Sequence, residues 1–482
     1  MQNIVRFILD DKLVEVDFSK FPELKPTTTV LNYLRSYPNH KGVKEGCAEG
    51  DCGACTVVVA DVDGNGKLKY TSLDSCLVFL PMIHGKQLIT VENLANTSKG
   101  EKELHPVQQL MVETSGSQCG YCTPGIVMSL FGLYKNQNEP TREIAEDALT
   151  GNLCRCTGYE PILNAAIKSC INKGRDHFSD NENRIIELLK EINGNKETLE
   201  IVTEKQKYFK PFLLSDALQI RKENPGAIIV NGSTDVALRQ TKKKELFAEI
   251  LDLSGIDELK NFHEDENCFV FGAGVTVQQM KSLSLDKLPA LNNILKVFGS
   301  LQIRNIATIG GNVGSASPIG DTLPVLFAYG ASIKLSSVNS ERIIGVEDFI
   351  KGYRQTDLKN DELITEVIIQ KPDAETKVLS YKVSKRKDLD ISTVCGAFRL
   401  NILQGKIAEI ILAFGGMAAT TKRAVKTEKF LAGKEWSREN VDSAMEILSE
   451  EFTPLSDARS EAKFRTAAAG NLLLKFYSET VR

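Results

Sequence analysis

No stretch of this sequence comes near the ~18 uninterrupted apolar residues that a membrane-spanning helix needs, and the opening MQNIVRFILDDK has neither the charged start nor the long apolar run of a secretory leader. The chain is therefore expected in the cytoplasm, with no membrane partner. Charge of one sign is also scarce: lysine and arginine number 59 against 63 aspartates and glutamates, a net charge of -4. Basic runs extend no further than Lys242-Lys243-Lys244 and Lys385-Arg386-Lys387, which read as solvated surface, so no nucleic-acid partner is expected. The five histidines, His40, His84, His105, His177 and His263, are scattered, and none is paired with a carboxylate at ligand spacing. That argues against a mononuclear catalytic metal. There is no G-x-G-x-x-G fingerprint of a Rossmann site and no internal repeat.

What the chain does have is size and cysteine. At 482 residues it exceeds the roughly 250 to 300 residues at which a single core stops growing, so two to four domains are expected. With 42% hydrophobic and 25% charged residues it has the composition of a soluble globular protein. In a reducing compartment its 11 cysteines are metal ligands or buried thiols rather than disulfides. Cys47, Cys52, Cys55, Cys76, Cys119, Cys122, Cys154 and Cys156 all lie in the first third and make two sets of four. Cys170, at helical spacing with Leu163, Ala166 and Ile167, reads as a core residue, and Cys268 and Cys395, in strand-like apolar runs, read as inert.

Cys47-x4-Cys52-x2-Cys55, with Cys76 beyond, has the plant-type ferredoxin spacing of a [2Fe-2S] cluster. Gly46, Gly50 and Gly53 would let the intervening backbone turn its N-H groups toward the sulfurs. The second set, Cys119-x2-Cys122 with Cys154-x-Cys156, is ambiguous alone, since zinc also fits a CxxC plus a CxC. Beside a ferredoxin loop, a second redox cluster would complete a relay.

The chain divides by pattern. Alternating apolar residues at Val5, Phe7 and Leu9 and at Val14, Val16 and Phe18 predict a hairpin, followed by a short helix capped by Thr29 and then the strand TVVVADV. This small mixed sheet with one helix spans residues 1–90. Residues 91–170 read as helices, with Pro124 and Pro161 near helix starts and Thr141 as a cap, forming a four-helix bundle with both cysteine pairs at helix ends. Residues 171–205, rich in Asn, Glu, Lys and Asp, read as a surface linker apart from the amphipathic IIELLKEI. Strands and helices then alternate through 206–377, and 378–482 reads as a smaller α+β domain with two C-terminal helical stretches.

Two loops of the C-terminal two-thirds, IIVNGSTDV and IATIGGNVGSASPIGD, place Gly, Ser, Thr and Asn directly after apolar β-rich stretches. Consecutive N-H groups and hydroxyls there could surround a pyrophosphate, although ordinary turns have the same composition. Two such loops downstream of two clusters suggest a flavin, the usual meeting point of one-electron and two-electron carriers.

KEGCAEGDCGACTV, SGSQCGYCTPGIVMSL, GNLCRCTGYEPI, TIGGNV with SPIGD, and GYR followed by SKRKDLDIS together resemble the molybdenum hydroxylase family, in its motif order and over nearly the whole chain. The resemblance implies an α+β multidomain fold: a ferredoxin-like β-grasp [2Fe-2S] domain, a four-helix-bundle [2Fe-2S] domain, a two-part α+β FAD-binding domain and a smaller α+β C-terminal flavoprotein domain. It implies that Cys119, Cys122, Cys154 and Cys156 hold the cluster nearer a molybdenum centre and that Cys47, Cys52, Cys55 and Cys76 hold the one nearer the flavin. For FAD it implies Ile229, Val230, Asn231, Gly232, Ser233, Thr234, Asp235 and Val236 in one loop and Thr308, Ile309, Gly310, Gly311 and Asn312 in the other. Phe298 resembles the aromatic residue facing the flavin ring, Asp321 an acid contacting FAD, Ile364 an apolar contact and Lys382 a residue reaching the cofactor. Tyr353 and Asp388 fall where the family places NAD contacts, although SKRKDLDIS differs in length and sequence from the animal loop.

Because the chain stops at residue 482, it further resembles the small iron-sulfur and FAD subunit of split bacterial xanthine dehydrogenases. That implies a molybdopterin-binding large subunit as partner, a dimer of heterodimers, NAD+ as co-substrate, and no hydroxylation by this chain itself. Electrons from hypoxanthine or xanthine would cross both clusters to FAD and then NAD+. The equivalent subunit of an aldehyde or N-heterocycle dehydrogenase, and a zinc-stapled interaction module, are the competing expectations.

Overall fold

The computed structural model describes residues 3–96, 103–194 and 196–481. They form two compact units, the first made of residues 1–220, 226–256 and 299–307 and the second of 221–225, 257–298 and 308–482.

In the first unit, strands Ile4–Leu9 and Lys12–Asp17 form the expected antiparallel hairpin. A five-stranded sheet runs in the order Lys12–Asp17, Ile4–Leu9, Gln87–Ile89, Thr56–Val62, Leu68–Asp74, with Gln87–Ile89 parallel to Ile4–Leu9. Helix Val30–Ser36 starts at Thr29, whose side chain accepts from the Asn32 N-H at 3.2 Å. It buries Val30, Leu31, Tyr33 and Leu34 in the same core as Phe7, Val57 and Val59. Val58 and Ala60, on the opposite face, join a second core with Phe131 and Leu149. Covering both faces is what a nearly continuous apolar strand requires.

Helices Pro106–Glu113, Thr123–Asn136, Arg142–Leu149 and Glu160–Ser169 supply that second core. Thr141 caps the third by accepting from the Ile144 N-H. The stretch expected to be a surface linker apart from the amphipathic IIELLKEI, 171–205, is instead largely ordered into the unit. It contains helix His177–Asn193, which buries Phe178, Ile185, Ile186 and Leu189 in the second core, and strand Leu199–Val202. The apolar residues of IIELLKEI, already read as amphipathic, share one helical stripe with Phe178, which lay in the polar part of the stretch. Asp176 caps this helix and accepts from Ser179 N-H at 2.8 Å, while its carboxylate pairs with Lys135 at 3.0 Å and His105 at 3.2 Å.

A four-stranded sheet, ordered Leu199–Val202, Lys207–Lys210, Glu249–Asp252, Ile228–Val230, completes the first unit. Tyr208, Val230 and Ile250 enter the same core as helix Val30–Ser36. The segment expected to be one domain, 206–377, thus contributes to both units.

The second unit holds a five-stranded antiparallel sheet, ordered Phe262–Glu264, Cys268–Gly272, Leu363–Gln370, Ser332–Ser336, Glu341–Gly345. A separate antiparallel sheet, Lys377–Val383, Val394–Leu403, Lys406–Gly415 and Lys422–Arg423, shares a core with three C-terminal helices, Val425–Leu431, Arg438–Glu451 and Ala462–Thr480, one more than expected. Phe398 and Phe476 meet edge to face within it at 5.4 Å. Among the described residues no helix is long and apolar enough to cross a membrane.

Candidate redox sites

The first cysteine set lies on the loop between helix Val30–Ser36 and strand Thr56–Val62, with Cys76 following strand Leu68–Asp74. Glu49 and Asp51 aim their N-H groups at Cys47 Sγ, at 3.4 and 3.3 Å. The sulfurs gather in two pairs, Cys47 with Cys52 and Cys55 with Cys76. The Cys52 thiol, together with the N-H groups of Asp51 and Glu49, pushes Cys47 down to about 5. Its partner Cys52, and the buried Cys55, are pushed up by the neighbouring sulfur and by burial. Beside them Asp74 is buried, with one carboxylate oxygen within reach of Cys55 Sγ at 3.8 Å, and burial raises its acid well above the carboxylate range. Gly50 and Gly53 adopt φ of +76° and +67°.

The second set sits at helix ends. Cys122 caps helix Thr123–Asn136, Cys119 precedes it, and Cys154 and Cys156 follow helix Arg142–Leu149. Here too the sulfurs are paired, Cys119 with Cys156 and Cys122 with Cys154. The N-H of Tyr121, followed by the Cys156 thiol, lowers the exposed Cys119. Tyr159, at φ +70°, turns its hydroxyl to accept from the Cys154 N-H at 2.7 Å. The two sets adjoin each other, for the Leu153 N-H donates to the Cys52 carbonyl at 3.1 Å. A [2Fe-2S] cluster takes four cysteine sulfurs, two on each iron, and each set offers two pairs of sulfurs. Among the described residues no group of three or more His, Cys, Asp or Glu is arranged to hold a single metal ion.

The loop at 229–236 lies in the first unit. Strand Ile228–Val230 delivers Asn231 and Gly232, where an added Cβ would lie 1.8 Å from the Ile306 carbonyl oxygen. Ser233 has φ +56° and donates its hydroxyl to the carbonyl of Leu77, the residue after Cys76. No acceptor among the described residues takes the N-H groups of 231–234, and the left-handed residue among them makes a concave run of donors suited to an anion.

The loop at 308–312 lies in the second unit and differs from expectation. Ile309–Gly314 is a short helix capped by Thr308, which accepts from the Gly311 N-H at 3.2 Å. The Ile309 and Gly310 N-H groups donate to the Val275 and Ala273 carbonyls. These three donors, expected to face a pyrophosphate, are thus committed within the protein, which leaves the side chain of Asn312 as the polar group at this turn. Asn312 Oδ1 accepts from the Thr322 hydroxyl, and next to Thr322 stands Asp321.

Asp321 and Lys382 form a buried ion pair at 2.8 Å, with side chains 8% and 4% exposed. Lys382 also donates to the Val297 carbonyl at 2.9 Å, placing the pair beside Phe298. Ser392, fully enclosed, donates to the other oxygen of Asp321. Ile364 projects from strand Leu363–Gln370, where a Cβ on Gly314 would lie 3.3 Å from its Cδ1. Asn312, Asp321, Lys382 and Ile364 are therefore brought together with the turn preceding Phe298. Tyr353, 61% exposed in the turn between Ile350–Gly352 and Gln355–Thr356, and Asp388, whose carbonyl accepts from the Asp390 N-H, are not joined to this group by any described contact. Sequence reasoning gave Ser392 no role although it ends the motif SKRKDLDIS, since a single serine does not reveal a distant partner.

Comparison with known proteins adds independent findings. Residues 203–372 match the family of the FAD binding domain in molybdopterin dehydrogenase, 379–480 the CO dehydrogenase flavoprotein C-terminal domain, and 90–167 a [2Fe-2S] binding domain. The chain is 31% identical to the xanthine dehydrogenase of Drosophila subobscura over 94% of its own length and 38% of that protein's. It is 32% identical to that of Emericella nidulans (99% and 38%) and 32% identical to the xanthine dehydrogenase/oxidase of Rattus norvegicus (98% and 39%). It thus spans less than half the length of these curated relatives. Among solved structures, a cyanide-inactivated Cu,Mo-CO dehydrogenase matches with a TM-score of 0.52 and 25% identity, covering 56% of this chain and 94% of that one. Quinoline 2-oxidoreductase from Pseudomonas putida 86 shares the fold, with a TM-score of 0.52 and 23% identity over 56% of this chain and 95% of that one.

Proposed function

Because this chain belongs to the molybdenum hydroxylase family and carries its [2Fe-2S] and FAD-binding domains, we propose that it is the electron-transfer part of a xanthine dehydrogenase. Purine oxidation would occur at a molybdopterin centre on a partner subunit, with NAD+ as the final acceptor. The observation that carries this reading is the gathering of eight cysteine sulfurs into two adjoining sets of two pairs, linked by the Leu153 N-H to the Cys52 carbonyl.

Cys47, Cys52, Cys55 and Cys76 would hold one cluster, Cys119, Cys122, Cys154 and Cys156 the other, and the clusters and FAD would supply one-electron carriers and a two-electron exchanger. The chain's own residues set the conditions. Backbone N-H groups of Glu49 and Asp51 stabilise negative charge on Cys47 Sγ. The open N-H run at 231–234 would suit a pyrophosphate. Lys382 pairs with Asp321 and orients it, and the carboxylate retains lone pairs for a ribityl hydroxyl beyond those used by Ser392 and Lys382. Phe298, Asn312 and Ile364 would line the flavin, and Tyr353 with Asp388 would receive nicotinamide dinucleotide. The purine assignment rests on the activity named for the curated relatives.

The test is a division of labour. The FAD-loaded chain should oxidise NADH and pass electrons to a dye, should leave xanthine untouched, and should support xanthine-dependent NAD+ reduction once a molybdenum subunit is added. Xanthine turnover by the chain alone would contradict the proposal, and loss of NADH-dye activity in a flavin-replete sample would remove the nicotinamide site.

A further inference from the structure

Residues 299–307 belong by sequence to the stretch matched as an FAD-binding domain, yet they pack within the first unit. On the short helix Leu301–Arg304, Gln302 is completely buried. The two N-H groups of its Nε2 are shared among Ser129 Oγ at 2.9 Å, Asn152 Oδ1 at 3.1 Å and the Ala148 carbonyl at 3.2 Å. Ser129 donates to the same Asn152 oxygen at 2.6 Å, so that oxygen is held from two sides. The remaining end of Asn152, Nδ2, donates to the Gly53 carbonyl at 3.1 Å and Thr56 Oγ1 at 3.2 Å. Gly53 lies between Cys52 and Cys55, and Asn152 lies two residues before Cys154. The amide fits because Gly151 has no side chain: a Cβ there would lie 2.2 Å from Gln302 Oε1.

We propose that Gln302 is a positioning residue, which holds Asn152 against Gly53 and so fixes one cysteine set relative to the other. This rests on the reading that both sets hold [2Fe-2S] clusters. The network is shut off from water, so removing the Gln302 donors leaves Asn152 Oδ1 and the Ala148 carbonyl short of partners and favours reorientation of Asn152. Of the bonds that tie the cysteine loops together, those from Leu153 to the Cys52 carbonyl, from Tyr121 to the Glu45 carbonyl and from Lys44 to the Gly120 and Tyr121 carbonyls survive, and those from Asn152 are released. Coupling between two paramagnetic centres depends on their separation and orientation, so it reports this change directly.

The experiment is low-temperature electron paramagnetic resonance on the reduced, iron-replete full chain, with iron analysis, for the wild type, Gln302→Leu, Asn152→Ala and the double variant. Gln302→Leu should keep its iron but show an altered inter-cluster coupling, seen as changed splitting or as changed relaxation enhancement of each signal by the other. Asn152→Ala should do the same and the double variant no more, since residues acting as a unit are non-additive. Full iron with unchanged coupling in Gln302→Leu would overturn the proposal. If that variant does not retain iron, Ser129→Ala, which removes one shared bond and little volume, is judged by the same criterion. A wild type without two cluster signals would overturn the proposal together with the two-cluster reading, whereas two coupled signals indifferent to Gln302 would overturn the positioning role alone.

Discussion

A methyl group at Gly53 would lie 2.3 Å from the Gly151 carbonyl oxygen, on a residue already at φ +67°. Neither obstacle can be relieved without moving one cysteine loop off the other, so Gly53→Ala is expected to lose iron from both sets, measured as iron per chain after desalting. Cys52→Ser should be more selective, removing about half the iron and one of two paramagnetic signals, because its pair serves one cluster only. At the flavin residues, Asp321→Ala strands the buried Lys382 ammonium. Breaking such a pair from one side costs about 3 to 5 kcal/mol, and it also deletes the proposed ribityl acceptor. Flavin retained through dialysis should fall about tenfold or more with iron content unchanged, and unaltered flavin would assign Asp321 a purely structural role. At this scale the grouping of eight cysteines into two sets was legible from spacing, although spacing left the second set open between an iron-sulfur cluster and zinc. Their internal pairing, Cys119 with Cys156 and Cys122 with Cys154, was not, because it depends on how two helix ends meet. Ser392, Asn152 and Gln302 were invisible for a related reason: a single polar residue has no period, and its partners lie far away in sequence.

Among the elements, helix His177–Asn193 was legible only in its amphipathic IIELLKEI, and it makes the sharpest prediction. Its charged face dominated the composition of 171–205, while the four residues that anchor it, Phe178, Ile185, Ile186 and Leu189, form a narrow stripe. Phe178→Ala should therefore cost about 3 to 5 kcal/mol in a urea titration, as a core aromatic does and a linker residue does not. Where local chemistry decides an element, sequence reasoning succeeded. Thr29 and Thr141 cap as expected, and Pro124 and Pro161 stand in the first turns of their helices. Where partners decide it, reasoning fell short: Ile309–Gly314 becomes helical because Thr308 caps it and the Val275 and Ala273 carbonyls take its first N-H groups.

On the scale of the molecule, the fold class was readable from the alternation of patterns, whereas the division into two units was not. The strands of 206–256 look continuous with those that follow them, and only their shared core with helix Val30–Ser36 reveals where they pack. Stability as a whole should respond to pH through His84. Burial first, and then Lys210 and Arg6 nearby, hold its folded value at about 3 against 6.5 for the free side chain, and its Nδ1 accepts from the Arg6 N-H at 3.1 Å. The unfolded chain thus binds a proton that the folded one refuses. This contribution is intact above pH ~6.5 and is lost as pH falls toward the folded value, at up to about 1.4 kcal/mol per pH unit. Urea midpoints at pH 7.5 and 5.5 should show the decline, and His84→Gln should flatten it.

The central claim, that this chain is an electron carrier holding two [2Fe-2S] clusters and one flavin, is tested most directly by metal and flavin analysis combined with electron paramagnetic resonance of the dithionite-reduced protein. The account predicts a red-brown protein with a flavin band, iron matched by acid-labile sulfide, and two distinguishable signals, because a glycine-rich loop and a pair of helix ends give their clusters different hydrogen bonding and exposure. A colourless protein whose cysteine sets hold zinc, with no signal on reduction, would contradict it.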